Sequence, residues 1–93
     1  MISSSADKRT AAVFEGLLPK GFPVDAANVA RRKLRQLDSA RTLQDLRAPP
    51  ANRLEKLGQD RAGQHSVRVN DQWRLCFVWR EGDAYEVEVT DYH

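Results

Sequence analysis

The stretch from Gly63 to His93, GQHSVRVNDQWRLCFVWREGDAYEVEVTDYH, constrains the fold more than any other, because it contains three alternating patterns in succession. His65 to Asn70, Trp73 to Arg80 and Ala84 to Tyr92 each read as a β-strand, with Asn70-Asp71 and Glu81-Gly82-Asp83 supplying the turns. The pattern predicts an antiparallel meander. A period of two sends Val67 and Val69 to one side, followed by Trp73, Leu75, Phe77 and Trp79, and then Tyr85, Val87 and Val89. The opposite side carries Arg68, Arg74, Arg80, Glu86 and Glu88, and the sequence closes on Asp91, Tyr92 and His93. A charged sheet face beside Asp-Tyr-His is the first place to look for function.

Upstream, Ile2 and the serines predict a brief edge strand, and Asp7 caps a helix over Asp7 to Leu18, with Ala11, Val13, Phe14, Leu17 and Leu18 at helical spacing. Pro19 to Pro23 breaks it. A second helix is predicted from Asp25 to near Ala40, with an apolar stripe at Ala27, Ala30, Leu34 and Leu37. Thr42 to Asp45 has capping-box spacing, which predicts a helical turn through Leu46 before Pro49-Pro50 extends the backbone. Asn52 to Leu57 predicts a short strand leading into a Gly58 to Gly63 loop. These elements make an α+β fold, one domain over residues 1–93, with two N-terminal helices on one face of a mostly antiparallel twisted sheet. The other face is left open and concave.

With 93 residues and 41% apolar side chains the chain can bury one core. It contains no run of the roughly 18 to 20 apolar residues that cross a membrane and no secretion signal, so the expected setting is the cytoplasm, away from any membrane. Cys76, the lone cysteine, falls inside an apolar strand and reads as a buried, inert thiol. Two histidines without partner thiolates make a poor metal site, and no cofactor is indicated. The formal charge is only +2, but Arg31-Arg-Lys-Leu-Arg35, Arg47, Arg53, Lys56, Arg61, Arg68, Arg74 and Arg80 form a long basic series. Two readings fit that series: a groove for an RNA backbone, and an ordinary solvated surface.

Asn52-Arg-Leu-Glu, Asp60 to Ser66, Val69 to Phe77, Gly82 to Tyr85 and the final Asp91-Tyr-His93 together resemble the HigB toxins, or plasmid maintenance system killer proteins, of the RelE/ParE superfamily. The resemblance spans nearly the whole chain and implies the same α+β fold. It implies a type II toxin acting as a ribosome-dependent messenger-RNA endonuclease, an mRNA interferase. Its implied partners are the ribosome, the message and a HigA antitoxin with a helix-turn-helix fold, operator DNA being reached only through that antitoxin. By position it implies an active cluster of Arg74, Asp91, Tyr92 and His93; beside that cluster, Arg53, Lys56, Arg61 and Arg68 of the basic series, with His65, are the candidate RNA contacts. The chain departs from relatives at Glu55, where some carry histidine, at Gly58, where some carry lysine, and at Ile2-Ser3-Ser4-Ser5, which lacks an aromatic anchor.

Metal-free RNA cleavage needs a base for the 2′-hydroxyl proton, an acid for the leaving 5′-oxygen, and cations for the charged phosphorane. Of the terminal cluster, His93 has the ordinary pKa, about 6.5, suited to proton transfer near neutrality. Arg74 offers a planar fork that fits phosphate oxygens, and Arg68 places a second one nearby. Tyr92 can stack on a base or donate a hydrogen bond, and Asp91 can orient His93 or Arg74. Against these stand plainer readings: a solvated terminal His93, a hydrogen-bonded sheet residue at His65, core packing for Trp73 and Trp79, and solvation with some antitoxin contact for Arg31 to Arg35. Two other functions share the fold: a ParE-like inhibitor of DNA gyrase, and a non-catalytic module binding RNA or antitoxin.

Overall fold

The computed structural model describes residues 1–91. Its elements are α1 (Lys8–Phe14), α2 (Val24–Ser39), β1 (Glu55–Lys56), β2 (Gln64–Arg68), β3 (Trp73–Arg80) and β4 (Asp83–Asp91). The four strands form one antiparallel sheet in the order β1-β2-β3-β4, as the alternation predicts. Val67, Val69, Leu75, Phe77, Val87 and Val89 are all buried and pack in one core with Ala26, Ala27, Ala30, Leu34 and Leu37 of α2. Each fully buried Leu or Val contributes about 1.5 to 3 kcal/mol relative to its exposed state. Trp73 lies in the same core, its ring 4.7 Å from that of Phe22, and Trp79 packs against the edge of it.

Asp7 caps α1 as expected, its Oδ1 accepting from the Thr10 amide at 2.7 Å. The helix stops at Phe14, four residues earlier than the periodicity suggests, because Gly16 turns into the left-handed region at φ 96°. Leu17 and Leu18 are consequently exposed rather than helical core residues. Arg31 of α2 ties down this end, with Nε donating to the Val13 carbonyl at 3.0 Å. The second helix begins after Pro23, with Asp25 in its first turn rather than at its cap, favourably placed against the helix dipole.

The capping box of Thr42 and Asp45 forms, heading a 3₁₀ turn over Leu43–Arg47. Amides of Arg41 and Thr42, at 2.9 and 3.1 Å, hold the Asp45 carboxyl below the usual carboxylate range. The Asn52 to Leu57 strand is shorter than predicted. Pro50–Asn52 forms another 3₁₀ turn, Arg53 adopts a left-handed φ of 46°, and only Glu55–Lys56 pair with β2. Asn52 explains this diversion. Fully buried, it donates to Gln36 Oε1, the Leu46 carbonyl and the Ala48 carbonyl at 3.1, 3.1 and 3.2 Å, and accepts from Lys33. A polar hub of this kind holds α2, both turns and the approach to β1 together.

Tyr85 departs from the predicted alternation. Trp79 pairs with Ala84 and Val78 with Tyr85, yet Cys76 pairs with Glu88, so two residues, Glu86 and Val87, oppose Phe77 alone. This bulge, with Glu86 at φ 52°, moves Tyr85 to the side of Val78 and Arg80, where the Arg80 guanidinium sits 4.9 Å from its ring centre. Ala84 takes the core position instead and is fully buried.

The free edge of β4 is covered rather than exposed. Ile2 and Ser5 bridge in parallel to Ala84 and Val87, realising the brief N-terminal strand. Beyond that point α1 takes over: Thr10 Oγ1 accepts from the Val89 amide at 2.9 Å and Arg9 Nη2 donates to the Val89 carbonyl at 2.8 Å. An unpaired edge would invite strand addition from another chain, and these contacts remove it. Among the described residues no helix is long and apolar enough to cross a membrane.

Candidate active site

Cross-strand register defines the face opposite the helices. Glu55 pairs with Ser66, Ser66 with Cys76, Cys76 with Glu88, and Arg68 with Arg74, which itself pairs with Thr90. Partners across a ladder share a side, so Glu55, Ser66, Arg68, Arg74 and Glu88 lie together, opposite the helices. Arg74 is the best-held of them. Its Nε donates to Ser66 Oγ at 2.9 Å, its Nη2 donates to the Arg53 carbonyl at 3.0 Å, and Glu55 Oε1 stands 3.7 Å from that same nitrogen. With only 13% of its side chain exposed, the guanidinium is fixed in one pose yet still reachable from solvent.

Arg68 lies directly across the ladder from Arg74 and ion-pairs with Asp71 in the turn. Like charges directly opposite one another weaken a sheet, and here each arginine has a carboxylate beside it, Asp71 for Arg68 and Glu55 for Arg74. Arg61, carried on a 3₁₀ turn at Gln59–Arg61, donates to Gln64 Oε1 at 3.1 Å and Glu88 Oε1 at 3.0 Å. Cys76 lies beneath this layer, and burial pushes its thiol pKa up, as expected of an inert cysteine.

The residues singled out from the sequence do not all meet on this face. Arg61, Arg68 and Arg74 share it, and Arg53 joins through its backbone carbonyl. Lys56 and His65 pair with each other and fall on the helix side of the sheet, His65 stacking on Phe77 with ring centres 6.2 Å apart. They line a separate cavity of about 570 Å³ with Leu43, Gln44, Arg47 and Leu54. Burial first, and then the charge of Lys56, lowers the His65 pKa and favours the neutral ring. Asp91 pairs with Trp73, on the side away from Arg74, and accepts from Gln72 Nε2 at 2.9 Å. Tyr92 and His93 lie outside the described residues. Among the described residues no group of three or more His, Cys, Asp or Glu side chains is placed to hold a metal ion.

Ser66 was not apparent as a functional position, although its parity with Arg68 and Arg74 carried the signal. The Arg53 carbonyl had no signal at all, since it reaches Arg74 only through a left-handed turn. Glu55 stood out solely as a departure from relatives, whereas here it supplies the carboxylate beside Arg74.

The fold is that of the RelE-like toxins. Two solved YoeB–YefM toxin–antitoxin structures from Staphylococcus aureus superpose with TM-scores of 0.63 and 0.62, covering 100% of this chain and 98% of theirs at 14% identity. At that identity the match establishes fold alone. Residues 7–93 match the HigB-like toxin family, described as the RelE-like toxin of the type II toxin–antitoxin system HigB. The chain belongs to this family. It is 47% identical over 63 residues to Toxin HigB-1 of Vibrio cholerae, an alignment spanning 68% of this chain and 66% of that protein. It is also 31% identical over 93 residues, the full length of both, to Endoribonuclease HigB of Proteus vulgaris.

Proposed function

We propose that residues 1–93 act as a single toxin domain that cleaves messenger RNA on the ribosome in the cytoplasm, restrained by a HigA-type helix-turn-helix antitoxin through which alone it meets operator DNA. The observation that carries this reading is Arg74, immobilised by Ser66, Arg53 and Glu55 and faced by the like-charged Arg68. Two guanidinium forks on an open sheet face form a receptor for a phosphodiester. Cleavage then follows from elementary steps. A base removes the 2′-hydroxyl proton, the resulting oxygen attacks the adjacent phosphorus, and the 5′-oxygen departs with a proton from an acid, leaving a 2′,3′-cyclic phosphate. Arg74 and Arg68 neutralise the charge that accumulates on the phosphorane.

His93 is assigned the proton transfers, Tyr92 base stacking or hydrogen bonding, and Asp91 their orientation. Thr90 pairs with Arg74, which brings the backbone at the end of β4 beside the guanidinium, while the Asp91 side chain lies across from Trp73 on the other side. Glu55 is the carboxylate beside Arg74 and the second candidate for the base. Expression of the chain alone should arrest growth, and co-expression of the antitoxin should relieve it. Arrest accompanied by loss of gyrase supercoiling with intact message would replace this reading with gyrase inhibition.

A further inference from the structure

The cavity on the far side of β1 is not used by the chemistry above, and its lining is unlike that of a core void. Arg47 and Lys56 supply two cations that have no carboxylate partner among the described residues, Gln44 an uncommitted amide, and Leu43 and Leu54 an apolar floor. His65 adds a ring kept neutral by burial, already stacked on Phe77 on one side. At about 570 Å³ the space lies within the range of roughly 300 to 1,000 Å³ typical of small-ligand sites. Cations, an amide and a flat ring over aliphatic side chains form the complement of a nucleotide: phosphate, base edge and base face.

The position of this cavity ties it to the open face. β1 is the edge strand of the sheet and is only two residues long, Glu55 and Lys56. Glu55 reaches the Arg74 side while Lys56, next in the chain, lines the cavity; on β2, Ser66 and His65 divide in the same way. An RNA strand leaving Arg74 over this short edge therefore arrives at Lys56 and Arg47 without crossing the helices.

Resting on the nuclease reading, we propose that this cavity is a nucleotide-binding subsite for single-stranded RNA, taking an unpaired nucleotide that flanks the cleaved phosphodiester. Arg47 and Lys56 hold its phosphate, Leu43, Leu54 and the His65 ring receive its base, and Gln44 bonds the base edge. The subsite adds affinity and leaves the proton transfers alone.

The test is fluorescence-anisotropy titration of a labelled single-stranded RNA into His93→Ala protein, with Arg47→Ala, Lys56→Ala and Gln44→Ala added singly. Each cation removed should weaken binding about tenfold and flatten the slope of log affinity against log salt by about 0.7. Gln44→Ala should weaken binding without changing the slope, and Arg47→Lys should restore most of the loss. Unchanged RNA affinity in Arg47→Ala and Lys56→Ala proteins with unaltered melting temperature would overturn the subsite, as would no RNA binding by the parent. If those substitutions instead weaken only the antitoxin complex, the cavity receives an acidic protein segment and the proposal fails. Cleavage of ribosome-bound message by the unsubstituted chain separates failure of this subsite from failure of the nuclease reading.

Discussion

Replacing Ser66 by alanine isolates what holds Arg74 in place. Ser66 is fully buried, and its Oγ accepts the Arg74 Nε hydrogen bond at 2.9 Å. A hydrogen bond to a charged group contributes about 1.5 to 3 kcal/mol, and here the Arg53 carbonyl and Glu55 remain to restrain the guanidinium. The loss therefore belongs near the lower end, about 1.5 kcal/mol. If the pose of Arg74 governs stabilisation of the phosphorane, each 1.36 kcal/mol costs about tenfold in rate, so cleavage should slow by about tenfold. Single-turnover cleavage of ribosome-bound message, followed by primer extension, measures that rate, and thermal unfolding reports any cost to the fold. Ser66→Ala protein that cleaves at the unsubstituted rate while Arg74→Ala does not would refute the claim that Ser66 positions the arginine.

Other consequences concern the scaffold. Asn52→Ala strips the side-chain amide from a fully buried site and leaves the Leu46 carbonyl short of a partner, while Gln36 still donates to the Ala48 carbonyl, so unfolding free energy should fall by about 2 to 4 kcal/mol in denaturant titrations. Thr10→Val keeps the shape of the side chain but orphans the Val89 amide, which should cost about 1 to 3 kcal/mol, with faster amide exchange at Val89. His65 has a pKa below its ordinary value of about 6.5 in the fold, so the unfolded chain binds the proton more readily. Its stabilising contribution is thus present above about pH 6.5 and is lost as pH falls below it; His65→Gln should remove that part of the acid sensitivity measured by unfolding at several pH values.

Much of this architecture was legible because β alternation is a local signal read directly from residue order. Val67, Val69, Leu75, Phe77, Val87 and Val89 fall on the core side as their parity requires, and Arg68 and Arg74 fall opposite them. Parity fails at Tyr85, because the bulge at Glu86 inserts one residue and nothing in Tyr-Glu-Val marks it. The short first helix has a related cause: Leu17 and Leu18 keep helical spacing, but Gly16 leaves the helix before they are reached.

The site was less legible than the fold. Lys56 belongs to the same basic series as Arg61 and Arg68, with His65 close by in sequence, and one-dimensional order could not reveal that Lys56 and His65 face the side of the sheet away from Arg74. The support for Arg74 comes from a backbone carbonyl exposed by a left-handed residue and from a serine buried by its neighbours, both products of tertiary structure. Asn52 is similar. Its place at the centre of a buried polar network depends on groups from α2 and two turns that are distant in sequence.

The most direct test of the account is cleavage of ribosome-bound message by purified protein, mapped by primer extension and compared among the unsubstituted chain, Arg74→Ala and His93→Ala. The account predicts discrete cleavage by the first. Loss of charge stabilisation should slow Arg74→Ala by ~10² to 10³, and loss of a proton-transfer group should slow His93→Ala by ~10² to 10⁴, with antitoxin binding retained in both. Cleavage by either folded variant at the unsubstituted rate would contradict the assigned chemistry, and an intact message with all three proteins would contradict the function itself.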